Sequence, residues 1–216
     1  MEELLFPIFP LELVLLPEEP LPLHIFEERY KEMIGECLAA QAAEPLKKQF
    51  GIVLGKDSEI EPVGCSARIV NVTRKYDGGQ MDILTVGVQR FEILYTEETR
   101  AFLRAGVTFF EDDAGRDTPG EKEAAEAIEL FRRAQQRLHH AEEMPIHLPR
   151  PYRHLSFRIA GALPLELAFK QQLLLLRDEP TRLRQVVELI QELLARLDAV
   201  ETARKRAGGN GHALNH

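Results

Sequence analysis

The stretch Gly51–Asp57 is the nearest approach in the sequence to a phosphate-binding loop. Such a loop has the form G-x-x-x-x-G-K-[ST], in which backbone amides surround the phosphates and the hydroxyl binds magnesium. Here one residue is missing between Gly51 and Gly55, and Asp57 replaces the hydroxyl, so a negative charge stands where phosphate would lie. We therefore interpret the stretch as a strand followed by a turn, and expect no cofactor.

The serines and cysteines are the candidate nucleophiles. None of the serines (Ser58, Ser66 and Ser156) lies in the G-x-S-x-G pattern of hydrolases, and no local pattern pairs one with a lysine amine. Cys65 follows Gly64, but no histidine can be assigned to it from the sequence. We expect no catalytic residue. The alternative, an unrecognised hydrolase, would require titratable groups that converge in a pocket.

Four histidines superficially resemble a metal cluster. They are His139, His140, His147 and His154. No cysteine joins them and no H-E-x-x-H pair is present, so surface or helix-capping positions are the interpretation, and no metal is expected. Cys37 and Cys65 form neither a metal spacing nor a disulfide framework, which predicts reduced, packed thiols and a cytoplasmic location.

The 216-residue chain has a net charge of −8 that is distributed unevenly. Through Thr118 there are 12 basic and 22 acidic residues, giving −10, whereas the remainder has 15 against 13, giving +2. An acidic first half repels phosphate backbones, so nucleic acid is disfavoured as the partner. No apolar run reaches the roughly 18 residues of a membrane span, and the opening Met1-Glu2-Glu3 is acidic where a secretory signal is basic.

The first half of the chain has the pattern of short strands with one helix. Apolar or alternating runs predict strands at Leu4–Phe9, Leu13–Leu16, Pro20–Ile25, Phe50–Leu54, Ala67–Tyr76, Met81–Tyr95 and Phe102–Phe110. The turn Asp77–Gln80 contains two glycines, as hairpins require. A helical spacing links Phe26, Tyr30, Met33, Ile34, Cys37 and Leu38. Strands joined by hairpins, with one early helix, indicate a small β-barrel.

The second half is predicted to be helical. The acidic segment Glu111–Asp117 has the composition of a linker, and Thr118–Glu121 matches a capping box. Helices are predicted from there to about His140, and over Tyr152–Leu163, Pro164–Leu176 and the segment that follows an Asp178 N-cap. Residues 204–216 are predicted to be disordered.

Three stretches together resemble the N-terminal substrate-recognition domain of Lon proteases. The first, Phe6–Tyr30, runs from a proline-broken strand into Leu-Pro-Leu-His-Ile-Phe-Glu-Glu-Arg-Tyr. The second, Pro62–Ile93, is similar to the barrel hairpin of that family, with its Asp-Gly turn and Val-Gly-Val-Gln-Arg-Phe strand. The third, Ile159–Leu183, contains an alanine-rich helix and Lys-Gln-Gln-Leu-Leu.

The resemblance implies an α+β fold, a PUA-like small β-barrel followed by an α-helical subdomain. The expected divisions are residues 1–112 for the barrel and 118–203 for the helices. Lon continues into an ATPase and a Ser-Lys protease, which this sequence lacks, so a stand-alone member without either activity is expected. The function implied is binding of unfolded or partly folded polypeptides, or of another protein partner, with no membrane association.

Peptide capture uses a free strand edge or an apolar groove. The predicted partner-binding residues are Leu15, Leu16, Leu21, Tyr30, Arg90 and Phe91. The alternative is that the leucines fill the barrel and that Arg90 pairs with an internal carboxylate. At the level of function, the alternatives are RNA binding, since other PUA-like barrels bind RNA, and a purely structural or oligomeric role.

Overall fold

The computed structural model describes residues 5–56, 59–139 and 150–209. Its strands are β1 (Phe6–Leu11), β2 (Pro20–Ile25), β3 (Gln49–Lys56), β4 (Glu59–Ile60), β5 (Val63–Lys75), β6 (Met81–Glu97) and β7 (Arg104–Phe110). Its helices are α1 (Glu28–Ala39), α2 (Glu121–His139), α3 (Leu155–Gly161), α4 (Leu167–Leu175) and α5 (Glu179–Gly209), with a 3-10 turn at Pro45–Lys48. The α+β class is confirmed, as is the order of a strand-rich first half with one early helix before a helical second half.

The 17-residue strand β6 organises the sheet. It pairs antiparallel with β5 over Met81–Glu92, with β2 over Met81–Val86 and with β7 over Arg90–Glu97. The order β1-β7-β6-β5-β3 is closed into a ring because β1 also pairs in parallel with β3. The closure is partial because β1 divides its pairing, with two residues on β7 and four on β3, and the β2–β6–β5 part extends from the ring.

The predicted β5–β6 hairpin is confirmed. Gly78 and Gly79 have φ values of 90° and 82°, a conformation that side chains with a β-carbon rarely adopt. The Gly79 amide donates to the Tyr76 carbonyl at 3.2 Å, which closes the turn.

The predicted strand at Leu13–Leu16 is wrong, because this segment is a buried loop. Leu15 and Leu16 are 1% and 0% exposed within the main core. The loop is attached to β6 by backbone hydrogen bonds: the Glu18 amide donates to the Gly87 carbonyl at 2.8 Å, and the Gly87 amide donates to the Glu19 carbonyl at 3.0 Å. These bonds fix where β2 begins.

The predicted apolar face of α1 is correct in its middle and wrong at its ends. Tyr30, Met33 and Ile34 are buried, as is Cys37. Phe26 is 56% exposed because it precedes the helix, and Leu38 is 43% exposed. Leu38 is rotated by about 100° from Cys37 around the helix axis, which turns it away from the core.

In the helical half, α3 and α4 are shorter than predicted, whereas α5 is longer. The predicted N-cap of α5 is confirmed, because Asp178 Oδ1 accepts a hydrogen bond from the Thr181 amide at 2.8 Å. The predicted Thr118 cap of α2 is wrong, because that helix starts at Glu121, directly after Gly120. The Gly120 carbonyl accepts the Ala124 amide at 2.9 Å. The last helix extends to Gly209, residues 210–216 lie outside the described part, and the disorder of residues 204–216 stays a prediction.

Gly35 offers a stability prediction within α1. It is exposed, and a β-carbon there would meet nothing within 4 Å. Gly35→Ala is expected to raise the free energy of unfolding by about 0.5–1 kcal/mol, because glycine is the less favourable residue inside a helix. Urea denaturation followed by circular dichroism measures the change, and an unchanged or lower value would contradict the open position assigned to residue 35.

Candidate functional site

Most of the predicted partner-binding residues have no free surface. Five are buried, with relative exposures of 7% or less: Leu15, Leu16, Tyr30, Arg90 and Phe91. Their side chains complete the core: Tyr30, for example, stacks on Phe9 at 3.9 Å between ring centroids. Direct contact of these five with a partner is therefore not supported in this conformation. Leu21 is half-buried with its side chain against the core, and its role in binding stays a prediction.

Arg90 pairs with an internal carboxylate, as the alternative interpretation expected. Its Nη2 lies 2.6 Å from Asp112 Oδ1, and the two side chains are 2% and 1% exposed. Asp112 comes from the acidic segment that was predicted to be a linker. The segment connects β7 to α2, and within it the Asp112 carboxylate is buried between the barrel and the helices.

Asp112 belongs to a buried charge cluster that joins both halves of the chain. The cluster consists of Arg90, Asp112, Ser156, Glu179 and Arg182. Arg182 Nη1 and Nη2 lie 2.6 and 2.5 Å from the two Asp112 oxygens, and Arg182 Nη2 lies 2.7 Å from Glu179 Oε2. Ser156 Oγ donates to Glu179 Oε2 at 2.6 Å. Two cations and two carboxylates therefore neutralise each other.

The pKa shifts in this cluster follow from burial and pairing. Burial alone would raise the pKa of Asp112, but hydrogen bonds and charge from Arg182 and Arg90 outweigh it and hold that pKa below its usual range. Burial dominates at Glu179 and raises its pKa. Ser156 and Glu179 are both fully buried, which gives a substrate no access to the hydroxyl. The cluster therefore serves to hold the two halves together.

The cysteine thiols are equally inaccessible. Cys37 and Cys65 are free and buried, as predicted. Burial raises the pKa of Cys37 to about 12, and it raises the pKa of Cys65 as well. A thiol in this state is protonated at neutral pH and is a poor nucleophile.

The phosphate-loop and metal alternatives find no support in the described residues. Gly51–Lys56 lies on β3, and the space beside Gly51 is filled by the Phe91 ring and Ile8. His154 precedes α3 with its Nδ1 3.3 Å from Glu18 Oε1, while His140 and His147 lie outside the described part. Within the described ranges, no group of histidine, cysteine and acidic residues is arranged to hold a metal ion.

The exposed side of the β2–β6–β5 sheet is the candidate interaction surface, here called the outer sheet face. Its members are Pro20, Pro22, Arg68, Leu84 and Val86, which the strand register places together, and Val88, which follows by alternation along β6. The strand register places Pro20, Val86 and Arg68 in one row, and Pro22 and Leu84 in the next. All members are exposed or half-exposed. The opposite side of the same strands, at residues such as Ile83, is buried in the core.

The sequence contained a signal for this face that the prediction did not use. Along β6, Ile83 and Thr85 alternate with Leu84 and Val86, so both sides of the strand carry apolar or β-branched side chains. Only one side can face the barrel interior. The other side therefore had to be covered by another element or left as an apolar surface, and sequence alone does not show which.

The edge of β2 is less suited to binding than the face. The described strands place β6 on one side of β2 and none on the other. Alternate residues of an antiparallel strand direct their amides to opposite sides. Pro20 and Pro22 have no amide hydrogen, so an added strand would lose donors at these positions. Prolines of this kind protect sheet edges from further pairing.

Several polar side chains lie at the end of the outer sheet face that is nearest the β5–β6 turn. Asp82 Oδ1 lies 2.6 Å from His24 Nδ1, and Asp82 Oδ2 accepts from the Tyr76 hydroxyl at 2.6 Å. Arg74 lies over the Tyr76 ring at 4.6 Å, and Phe26 stacks on His24 at 5.8 Å. The hydrogen bonds from Tyr76 and His24 lower the pKa of Asp82. This carboxylate is therefore ionised and already satisfied.

Several clefts lie away from the outer sheet face, and two of them border the C-terminal half of α1 and the α4–α5 pair. One, of about 430 Å³, separates the C-terminal half of α1 from β1 and β7, and Glu36, Arg100 and Arg104 line it together with apolar residues. The other, of about 320 Å³, lies between α4 and α5 and includes Phe169 and Leu193. The charged lining groups of the first cleft are paired, since Arg100 contacts Glu36 and Arg104 contacts Glu97.

Comparisons with known proteins agree with this architecture. The chain is similar to a Lon N-terminal domain protein from Xanthomonas campestris, with a TM-score of 0.64 at 22% identity, covering 86% of this chain and 98% of that one. It is also similar to the N-terminal domain of Lon protease from Mycobacterium avium complex, with a TM-score of 0.63 at 21% identity, covering 87% and 98%. Identities this low show the fold alone.

A family model decides the membership. The model described as the ATP-dependent protease La (LON) substrate-binding domain matches residues 6–192, which is most of the chain. In the described residues, none of the helices combines the length and apolarity that crossing a bilayer requires. The chain belongs to the Lon substrate-binding domain family.

Proposed function

We propose that this protein binds polypeptide segments without catalysing a reaction, and that the outer sheet face is where they bind. The proposal rests on the strand register of that face, which pairs Pro20 with Val86 and Pro22 with Leu84. These four side chains therefore lie next to one another at the surface. Contiguous apolar side chains at a surface are typical of interaction sites. Unfolded polypeptide segments expose apolar residues, and these would pack against the apolar side chains of the outer sheet face.

The non-catalytic part of the proposal rests on the state of the candidate nucleophiles that the structure describes. Ser156 and Ser66 are fully buried, and both thiols have raised pKa values. The two unpaired cysteines also support the proposed cytoplasmic location, where thiols stay reduced. Activity assays on the purified protein with peptide, ester and nucleotide substrates should show no turnover above background.

The binding test uses Leu84→Ser/Val86→Ser. This variant removes apolar surface without adding charge, and we expect it to weaken binding to a permanently unfolded, carboxymethylated protein at least about tenfold, or about 1.4 kcal/mol. Fluorescence anisotropy with the labelled unfolded protein measures the dissociation constant. The matched control is Leu38→Ser/Val200→Ser, whose residues are 43% and 51% exposed on α1 and α5.

Two results would overturn the proposal. One is the absence of any affinity of the wild-type protein for unfolded chains. The other is equal weakening by the two variants. RNA binding is separated from polypeptide binding by salt, because phosphate contacts give a steep loss of affinity with ionic strength, whereas apolar contacts do not.

A further inference from the structure

We infer that the outer sheet face selects polypeptide segments that carry a carboxylate close to their apolar residues, and that Arg68 recognises this carboxylate. The inference deepens the proposed function and rests on it. It follows from an imbalance of charge on the face: the carboxylates at its two ends are paired, whereas Arg68 has no charged partner among the described residues.

Arg68 stands within the apolar rows. The register pairs it with Val86, which in turn pairs with Pro20, so the three side chains lie on the same side of neighbouring strands. Arg68 is exposed, and its guanidinium forms no ion pair, hydrogen bond or ring contact with the residues that the structure describes. A segment lying over Val86 would therefore place its own side chains beside an available cation.

The neighbouring charges are already compensated. Asp82 is bound by His24 and Tyr76, and Arg74 lies over the Tyr76 ring close to that same carboxylate. At the other end of the face, Glu19 Oε1 lies 2.6 Å from Lys170 Nζ, and both groups are mostly buried. Glu18 contacts His154 and Arg158. The uncompensated charge on this face is therefore positive, although the protein as a whole is acidic.

The geometry limits where the carboxylate must lie. Neighbouring strands are about 4.8 Å apart, so Arg68 is one strand spacing from Val86 and about twice that from Pro20. An extended segment rises about 3.3 Å per residue. A carboxylate within about three residues of the apolar anchor could therefore reach the guanidinium, whose planar fork accommodates both carboxylate oxygens. Covering Val86 would also exclude water from the pair and strengthen it.

The test compares labelled peptides with one apolar core and different flanking residues: glutamate, glutamine or lysine. For the wild-type protein we expect about tenfold tighter binding of the glutamate-flanked peptide than of the lysine-flanked one, measured by fluorescence anisotropy at fixed ionic strength. In Arg68→Glu the order should reverse, and in Arg68→Gln the preference should disappear. The control Arg133→Glu makes the same charge change on an exposed position of α2 and should keep the wild-type preference.

The outcomes separate the inference from the proposed function. If no peptide binds the wild-type protein, the proposed function fails. If all three peptides bind equally well, or if Arg68→Glu and Arg133→Glu shift the preference alike, the inference is overturned while polypeptide binding stands. Thermal unfolding of each variant confirms that it is folded, and Arg68→Gln, which adds no charge, provides the test if Arg68→Glu does not fold.

Discussion

Replacing Asp112 with alanine is expected to lower the free energy of unfolding by about 3–5 kcal/mol. The carboxylate is 1% exposed and accepts hydrogen bonds from Arg90 and from both terminal nitrogens of Arg182. Without it, Glu179 is the one remaining carboxylate of the cluster, and it faces two buried guanidinium groups. An unpaired buried charge is among the most destabilising features that a single substitution creates. Urea denaturation followed by circular dichroism measures the loss.

The matched control is Asp113→Ala, which removes an exposed carboxylate from the adjacent position. It should change the free energy of unfolding by no more than about 0.5 kcal/mol, as is usual for surface substitutions. Equal effects of the two variants would contradict the buried charge cluster as the connection between the halves.

Asp112→Ala should also alter how the stability of the protein responds to acid. The pKa of Asp112 is lowered in the folded protein, so ionised Asp112 contributes stability above its unfolded-state pKa of about 3.9. That contribution is lost as the pH falls through the depressed folded-state value. Unfolding measured from pH 6 down to pH 2 should therefore show a steeper loss of stability for Asp113→Ala than for Asp112→Ala.

Gly87→Ala is expected to destabilise the protein by about 3 kcal/mol, at the upper end of the cost of overpacking. A β-carbon at position 87 would overlap the Leu16 carbonyl oxygen and lie 3.0 Å from its carbonyl carbon. The obstacle is backbone, and the loop cannot withdraw without breaking the hydrogen bonds of Glu18 and Glu19 to Gly87. Each of those bonds contributes about 1 kcal/mol.

Urea denaturation also measures the destabilisation by Gly87→Ala. The control is Gly35→Ala, which makes the same chemical change at an open position of α1. The two glycine variants should move the denaturation midpoint in opposite directions. A neutral Gly87→Ala would show that the loop before β2 is not held against β6 as described.

The sequence predicted the elements whose signals are local. The Asp77–Gln80 turn and the alternation of β5 and β6 were sufficient for the hairpin, and Asp178 marked the start of α5 correctly. The loop at Leu13–Leu16 was misassigned because a short apolar run is equally compatible with a strand and with a buried loop. Only the tertiary bonds to Gly87 distinguish the two.

The site was harder to predict because its residues acquire their roles through distant pairings. Asp112 lies in an acidic segment with linker composition, and its partners Arg90 and Arg182 are 22 and 70 residues away in the sequence. Tyr30 and Phe91 have the residue types of binding hot spots, but in this fold they fill the core. Leu84 and Val86 are surface residues only because no described element covers that side of β6.

The buried charge cluster limits the modularity of the fold. The barrel supplies one cation, the helices supply the other cation and a carboxylate, and the connecting segment supplies the anion that both cations share. A chimaera that grafted this barrel onto a foreign helical bundle would bring Arg90 into an interface without its counter-charge. A transplantable unit has to include the connecting segment and the start of α5, or replace Arg90 with an apolar residue.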